Sequence, residues 1–137
     1  MGTDGEQWVA VAAVVFREGR MLALRRSATK DAGPGLWETV SGRVKPGEEP
    51  LEAIRREIVE ETGLEVVLSE RPVDAYAARR GDRPMTVILY RAEHVDGEVV
   101  RCDEHDDHGW MTPEEFARTT TLTRLAEAVL RASRVAP

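Results

Sequence analysis

Residues Gly42–Leu64 read G-R-V-K-P-G-E-E-P-L-E-A-I-R-R-E-I-V-E-E-T-G-L. This spacing predicts a helix over Pro50–Thr62. Pro50 suits a first helical position, where its missing N–H costs nothing. Glu48, Glu49 and Glu52 stand at the positive end of the helix macrodipole. Gly63 follows the last helical residue, where a left-handed cap is wanted. Leu51, Ile54 and Ile58 share one apolar stripe that can face a core. At about 100° per residue, Glu57, Glu60 and Glu61 fall within an arc of roughly 100° beside that stripe. Carboxylates that close repel one another. A cation reverses the sign, and Mg²⁺ and Mn²⁺ take hard oxygen donors. The plainer reading of such a run is a solvated acidic face.

The rest of the stretch decides between the two. Gly42, Glu48, Arg56, Glu57, Glu60, Glu61 and Gly63, with Ile58 and Leu64 apolar, match every fixed position of the Nudix box, G-x5-E-x7-R-E-U-x-E-E-x-G-U. The chain therefore resembles the Nudix hydrolases. The box covers 23 residues, and the flanking pattern is compatible over nearly the whole chain. The resemblance implies an α/β/α sandwich, with a mixed β-sheet between helices. It also implies hydrolysis of a diphosphate bridge that joins a nucleotide or nucleoside to another group. In that chemistry divalent metals neutralise charge and acidify the attacking water, so Mg²⁺, with Mn²⁺ as substitute, is the expected cofactor.

Matching to the family motif assigns roles. Glu57, Glu60 and Glu61 ligate metal, and one of them also takes the water's proton. Gly42 lends a backbone carbonyl, which suits a residue that lets chains approach closely. Arg56 pairs with a box carboxylate and holds it in position. Glu48 either orders the loop over the helix start or acts as a simple helix-end acid. A further ligand or base often comes from a later loop in this family. Cys102–Trp110 reads C-D-E-H-D-D-H-G-W, with Glu104 the first candidate and Asp106 and Asp107 behind it. His105 and His108 are weaker candidate ligands, since histidines in acidic loops usually solvate. Cys102 reads as a packed small residue rather than a nucleophile, because no motif places a base near it.

Substrate contacts follow the same logic. Arg26 matches a phosphate-contacting arginine of mutator-type nucleoside triphosphate pyrophosphohydrolases. Trp37 and Glu38 precede the box where those enzymes carry base-contacting residues, and Trp37 offers a face for stacking. Arg79, Arg80 and Arg83 form a basic turn that either holds phosphates or simply solvates. The pre-box segment is Thr39-Val40-Ser41-Gly42 where the mutator-type pattern has Pro-Gly-Gly, and the chain contains no asparagine. Both departures argue against the reading of an oxidised guanine.

The bulk properties agree. A chain of 137 residues fits one domain, expected over 8–137 after a flexible tail at 1–7. The formal net charge of −6 argues against a general nucleic-acid binder, which needs a basic face to replace counterions. It leaves room for a small phosphorylated substrate beside a metal. A second copy of the chain, in a homodimer, is kept as a candidate partner. Cys102 is the only cysteine, so no intrachain disulfide forms and a reducing cytoplasm is expected. The apolar run Val9–Phe16 is too short to span a membrane.

Along the chain, strands are expected at Trp8–Phe16, Met21–Arg25, Leu36–Ser41, Glu65–Leu68, Ala75–Ala78, Met85–Glu93 and Trp110–Met111. Turns or loops are expected at Arg26–Gly35, Arg79–Pro84, Val95–Glu98 and Asp103–Gly109. Thr112 caps a helix opened by Pro113, with Glu115 three residues after the cap. A last helix is expected over Leu122–Ala132. Two other functions fit the box. An isomerase of an isopentenyl-type diphosphate needs a Cys and a Glu across a double bond, and Cys102 lies far from the box. A sensor that binds without turnover has no need of all four acids and Arg56.

Overall fold

A computed structural model describes residues 7–28 and 34–135. The expected tail at 1–7 thus lies, except for Gln7, outside the described residues. In chain order the elements are β1 (Trp8–Arg17), β2 (Arg20–Arg26), β3 (Trp37–Glu38), β4 (Val40–Arg43), α1 (Pro50–Thr62), β5 (Glu65–Leu68), β6 (Asp74–Arg80), β7 (Arg83–Asp96), β8 (His105–Met111), α2 (Pro113–Thr119) and α3 (Thr123–Ser133).

The eight strands form one mixed sheet. β1 runs parallel to β7, from Trp8↔Met85 to Phe16↔Glu93. It pairs antiparallel with β4 along Ala10–Ala13 and with β2 at the hairpin end. β1 is mostly apolar because both its faces are covered. Ala10, Ala12, Val14 and Phe16 pack toward α2 and α3, with Phe116, Leu125 and Val129. Val11, Ala13 and Val15 pack toward α1, with Ala53, Ile54 and Ile58. The period of two along one strand thus feeds two cores, which makes the expected α/β/α sandwich.

α1 has the expected bounds. Pro50 opens it, the Glu52 carboxylate accepts from the Glu49 N–H at 3.1 Å, and Gly63 closes it at φ 70°. The α2 cap is also as expected, with the Thr112 hydroxyl accepting from the Glu115 N–H at 3.1 Å. Among the described residues no helix is long and apolar enough to cross a membrane.

Four expectations are corrected. Asp103–Gly109 is a strand from His105 onward, not a loop; β8 pairs antiparallel with β2, with a bulge between Arg25 and Arg26. Asp, His and Gly are poor strand formers. Here the ladder to β2 and an Arg25–Asp106 ion pair of 2.8 Å outweigh their propensity. The Arg79–Pro84 turn narrows to Gly81 and Asp82, because β6 and β7 remain paired to Arg80↔Arg83. β7 continues to Asp96, two strand residues into the expected turn. Leu36–Ser41 splits at Thr39, since β3 pairs with β2 while β4 pairs with β1.

α3 is tied to β6 by a buried carboxylate. Asp74 is 5% exposed and accepts from Arg124 at 3.0 and 3.2 Å, with Arg131 at 3.6 Å. Burial acts to raise its pKa, but the Arg124 hydrogen bonds, the Ala75 N–H and the two guanidinium charges together hold it below the usual value. A depressed carboxyl pKa contributes stability above the unfolded value of about 3.9 and loses it as pH falls through the folded value. Arg124→Ala should therefore cost about 1 kcal/mol at pH 7, near the low end for a charged hydrogen bond because the guanidinium is part-exposed. Urea melts at pH 7 and at pH 2.5 check this; the difference between parent and variant should shrink at the lower pH.

Candidate active site

The end of β4 and the outer face of α1 build the site. Glu61 is 3% exposed. Its carboxyl lies within hydrogen-bonding distance of the Glu57 carboxyl and accepts from the Ser41 N–H at 3.3 Å. Burial first, then the Glu57 carboxylate and the charge of Glu104, push its pKa well above the ordinary range. Gly42 sits directly over this pair. A Cβ built on Gly42 would run into the Glu57 carboxylate, so the absence of a side chain is what lets β4 and α1 close on each other.

Arg56 organises the surroundings. Its Nε and Nη2 fork onto the two Glu48 oxygens at 2.9 and 3.0 Å. Nη1 donates to Glu57 at 2.8 Å and to Glu60 at 3.3 Å, and Nη2 also donates to the Arg43 carbonyl at 3.2 Å. Glu48 in turn accepts from the Lys45 N–H at 3.0 Å. The Arg56 hydrogen bonds first, and the Lys45 N–H second, draw the Glu48 pKa down to about 2. Of the two readings of Glu48, the geometry matches the one in which it orders the loop over the helix start.

Two clefts meet here. One, of about 510 Å³, is lined by Glu57, Arg56, Gly42, Lys45, Trp8 and Glu104, among others. The other, of about 440 Å³, opens between the sheet and the start of α3; its walls include Ala10, Ala12, Tyr76, Met85, Leu122 and Arg124. Arg26, Ser41, Gly42, Arg43 and Arg80 line both. Burial raises the Tyr76 hydroxyl to about 12, so it remains a neutral wall of the second cleft.

The structure thus brings Gly42, Arg56, Glu57, Glu61 and Glu104 together. Glu60 leans outward, its side chain 56% exposed and paired with Arg56. Among the described residues no three acidic, thiol or imidazole side chains already enclose a point at ligating distance. The donor set nevertheless fits a hard divalent cation, being carboxylate oxygen. A buried carboxyl pressed against a second one, with a single N–H to offset it, is the kind of site that a cation relieves.

Arg26 and Glu38 both line the second cleft, joined at 3.4 Å. Trp37 lines neither. Successive strand residues take opposite faces, and Trp37 packs against the α2–α3 core with the Arg25 guanidinium 5.9 Å from its ring. Asp106 pairs with Arg25, and His108 contacts Arg101 at 2.6 Å. His105 is buried against Glu38 rather than solvated. Sequence reasoning did not single out Tyr76, Arg43 or Arg124 as cleft walls, and weighed Arg80 only within a basic turn. Residues that converge from β4, β6 and α3 share no local motif.

Comparison with known proteins gives the same family. A NUDIX domain model matches residues 6–132. The nucleoside triphosphatase NudI of Salmonella arizonae is 31% identical over 121 residues, covering 81% of this chain and 86% of its own. The CTP pyrophosphohydrolase of Escherichia coli K12 is 34% identical over 107 residues, covering 77% and 76%. A MutT protein from Methanosarcina mazei Go1 superposes with a TM-score of 0.83 at 26% identity, over 94% of this chain and 96% of its own. With a complete box, a sheet that closes Gly42 onto Glu57, and a domain match over nearly its whole length, this chain belongs to the Nudix family and is a Nudix hydrolase.

Proposed function

We propose that this enzyme is a metal-dependent pyrophosphohydrolase of a nucleotide, holding the base in the cleft beside α3 and the phosphates over Glu57 and Glu61. The observation that carries the reading is the junction of the two clefts. One is largely apolar, as a base requires; the other is lined by carboxylates and guanidinium groups; and Arg26, Arg43 and Arg80 line both. The relatives named for nucleoside triphosphates and for CTP support a nucleotide rather than another diphosphate.

Glu57, Glu61, Glu104 and the Gly42 carbonyl would hold the cation, with Glu60 as an outer ligand from the same helix face. When bound, Mg²⁺ or Mn²⁺ supplies charge neutralisation and a more acidic water. The chain's own residues do the rest. Arg56 fixes the Glu57 carboxylate through a guanidinium that is itself anchored on Glu48. Arg26 and Arg80 draw the phosphates to the junction. One of Glu57, Glu61 and Glu104 takes the proton from the attacking water.

Glu60→Gln tests the metal. The variant removes one charge from a crowded arc and one exposed pair with Arg56, so without metal its stability should stay within about 0.5 kcal/mol of the parent. Added Mg²⁺ should raise the parent's melting temperature more than the variant's, by linkage. Equal shifts in both would remove Glu60 from the ligand set. No shift in either would argue against a metal site.

A further inference from the structure

Glu38, His105 and Arg26 come from three strands, β3, β8 and β2, and meet at the wall of the second cleft. Their side chains are 13%, 1% and 9% exposed. Glu38 Oε2 lies 2.9 Å from His105 Nε2 and 3.4 Å from Arg26 Nη1. A guanidinium can only donate, so Oε2 is an acceptor, and the imidazole proton facing it sits on Nε2. Nδ1 faces the Cys102 thiol at 4.0 Å. The His105 N–H also bonds the Cys102 carbonyl at 3.2 Å, which fixes the ring's origin.

Both contacts on Glu38 fall on one oxygen. Oε1 makes no hydrogen bond among the described residues, and no buried side-chain oxygen or nitrogen among them lacks a partner. Oε1 is therefore accessible, and the cleft that Glu38 lines is where it is reached. A carboxylate oxygen that is locked from behind and open in front is a fixed acceptor. It selects an N–H donor, and the amino group of cytosine is a donor that carboxylates accept from.

We propose that His105 is a positioning residue for substrate selection: it clamps Glu38 so that Oε1 accepts from an exocyclic amino group of the base. This rests on the nucleotide reading above. His105 neighbours Glu104 in sequence, so a purely structural role would disturb Glu104 and slow every substrate alike. A positioning role changes the ratio between substrates.

The test compares CTP with the triphosphate of 2-pyrimidinone riboside, which lacks only the 4-amino group. The parent should favour CTP in kcat/KM by on the order of 10-fold or more, the effect of one charged hydrogen bond, expressed mainly in KM. Glu38→Gln should lose that preference. His105→Ala should bring the ratio toward 1, and His105→Gln, which keeps a side-chain N–H, should restore most of it. If His105→Ala does not fold, His105→Gln and Glu38→Gln still decide the matter. Equal kcat/KM for both substrates in the parent would overturn the inference and leave the nucleotide reading standing. So would a lowered melting temperature with an unchanged ratio in a His105 variant. Turnover of neither compound, nor of any other nucleotide, would overturn the nucleotide reading itself.

Discussion

Glu57→Gln should lower kcat on the order of 10²-fold or more, the scale set by removal of a principal electrostatic group. Glu57 is where the site's contacts converge: the Arg56 guanidinium at 2.8 Å, the Glu61 carboxyl, and the backbone of Gly42. The amide keeps the shape and loses the charge. Excess Mg²⁺ should rescue it little. Arg56→Lys gives the contrast. It keeps one positive charge and loses the fork that spans Glu48 and Glu57. Activity should fall because the carboxylate is less well held, and saturating Mg²⁺ should restore part of it. Steady-state kinetics across a Mg²⁺ titration check both. The reverse ranking would mean that the two roles have been exchanged.

Gly42→Ala should cost a comparable factor in kcat/KM with little loss of stability. The added Cβ collides with the Glu57 carboxylate and lies 2.7 Å from its Cγ, so the Glu57 side chain must leave through a different χ1 rotamer. The fold therefore survives, and the carboxylate leaves the position that Arg56 and Glu61 define. Gly109→Ala is the control. Its Cβ would meet only the Met111 methyl group at 3.8 Å, an ordinary contact. Activity and melting temperature of that variant should stay close to the parent's. If Gly42→Ala hydrolyses as well as Gly109→Ala, close approach of β4 to α1 is not a requirement of the site.

The parts of the structure that were legible in the sequence are those written in local signals. α1 carries a proline start, acids at its positive end and a glycine stop, and its bounds were read without error. The Glu57–Glu61 pairing follows from helical spacing, since residues four apart share a face. Only the last two residues of β8, Trp110 and Met111, were legible, because the others are poor strand formers whose partners lie some eighty positions earlier, such as Arg25 for Asp106. Trp37 and Glu38 were read together because they adjoin, yet Trp37 packs against the α2–α3 core. Only Glu38 reaches a cleft. His105 was weighed as a solvated histidine, and nothing local signals that Glu38, 67 positions away, would bury it. Of the second cleft, only Arg26, Glu38, Arg79 and Arg80 were singled out in the sequence, since its apolar walls come from β1, β6, β7 and α3.

We propose that a nucleotide is hydrolysed at the Glu57–Glu61 site with the help of a divalent cation. Turnover in ¹⁸O-labelled water, followed by mass spectrometry over a panel of nucleoside triphosphates, tests it most directly. The expected products are nucleoside monophosphate and pyrophosphate, with one labelled oxygen entering them per turnover, dependence on Mg²⁺ or Mn²⁺, and loss on chelation. Binding without label would mark a sensor. A rearranged product without phosphate release, tested on an isopentenyl-type diphosphate, would mark an isomerase. Either result, or turnover that survives chelation, would contradict it.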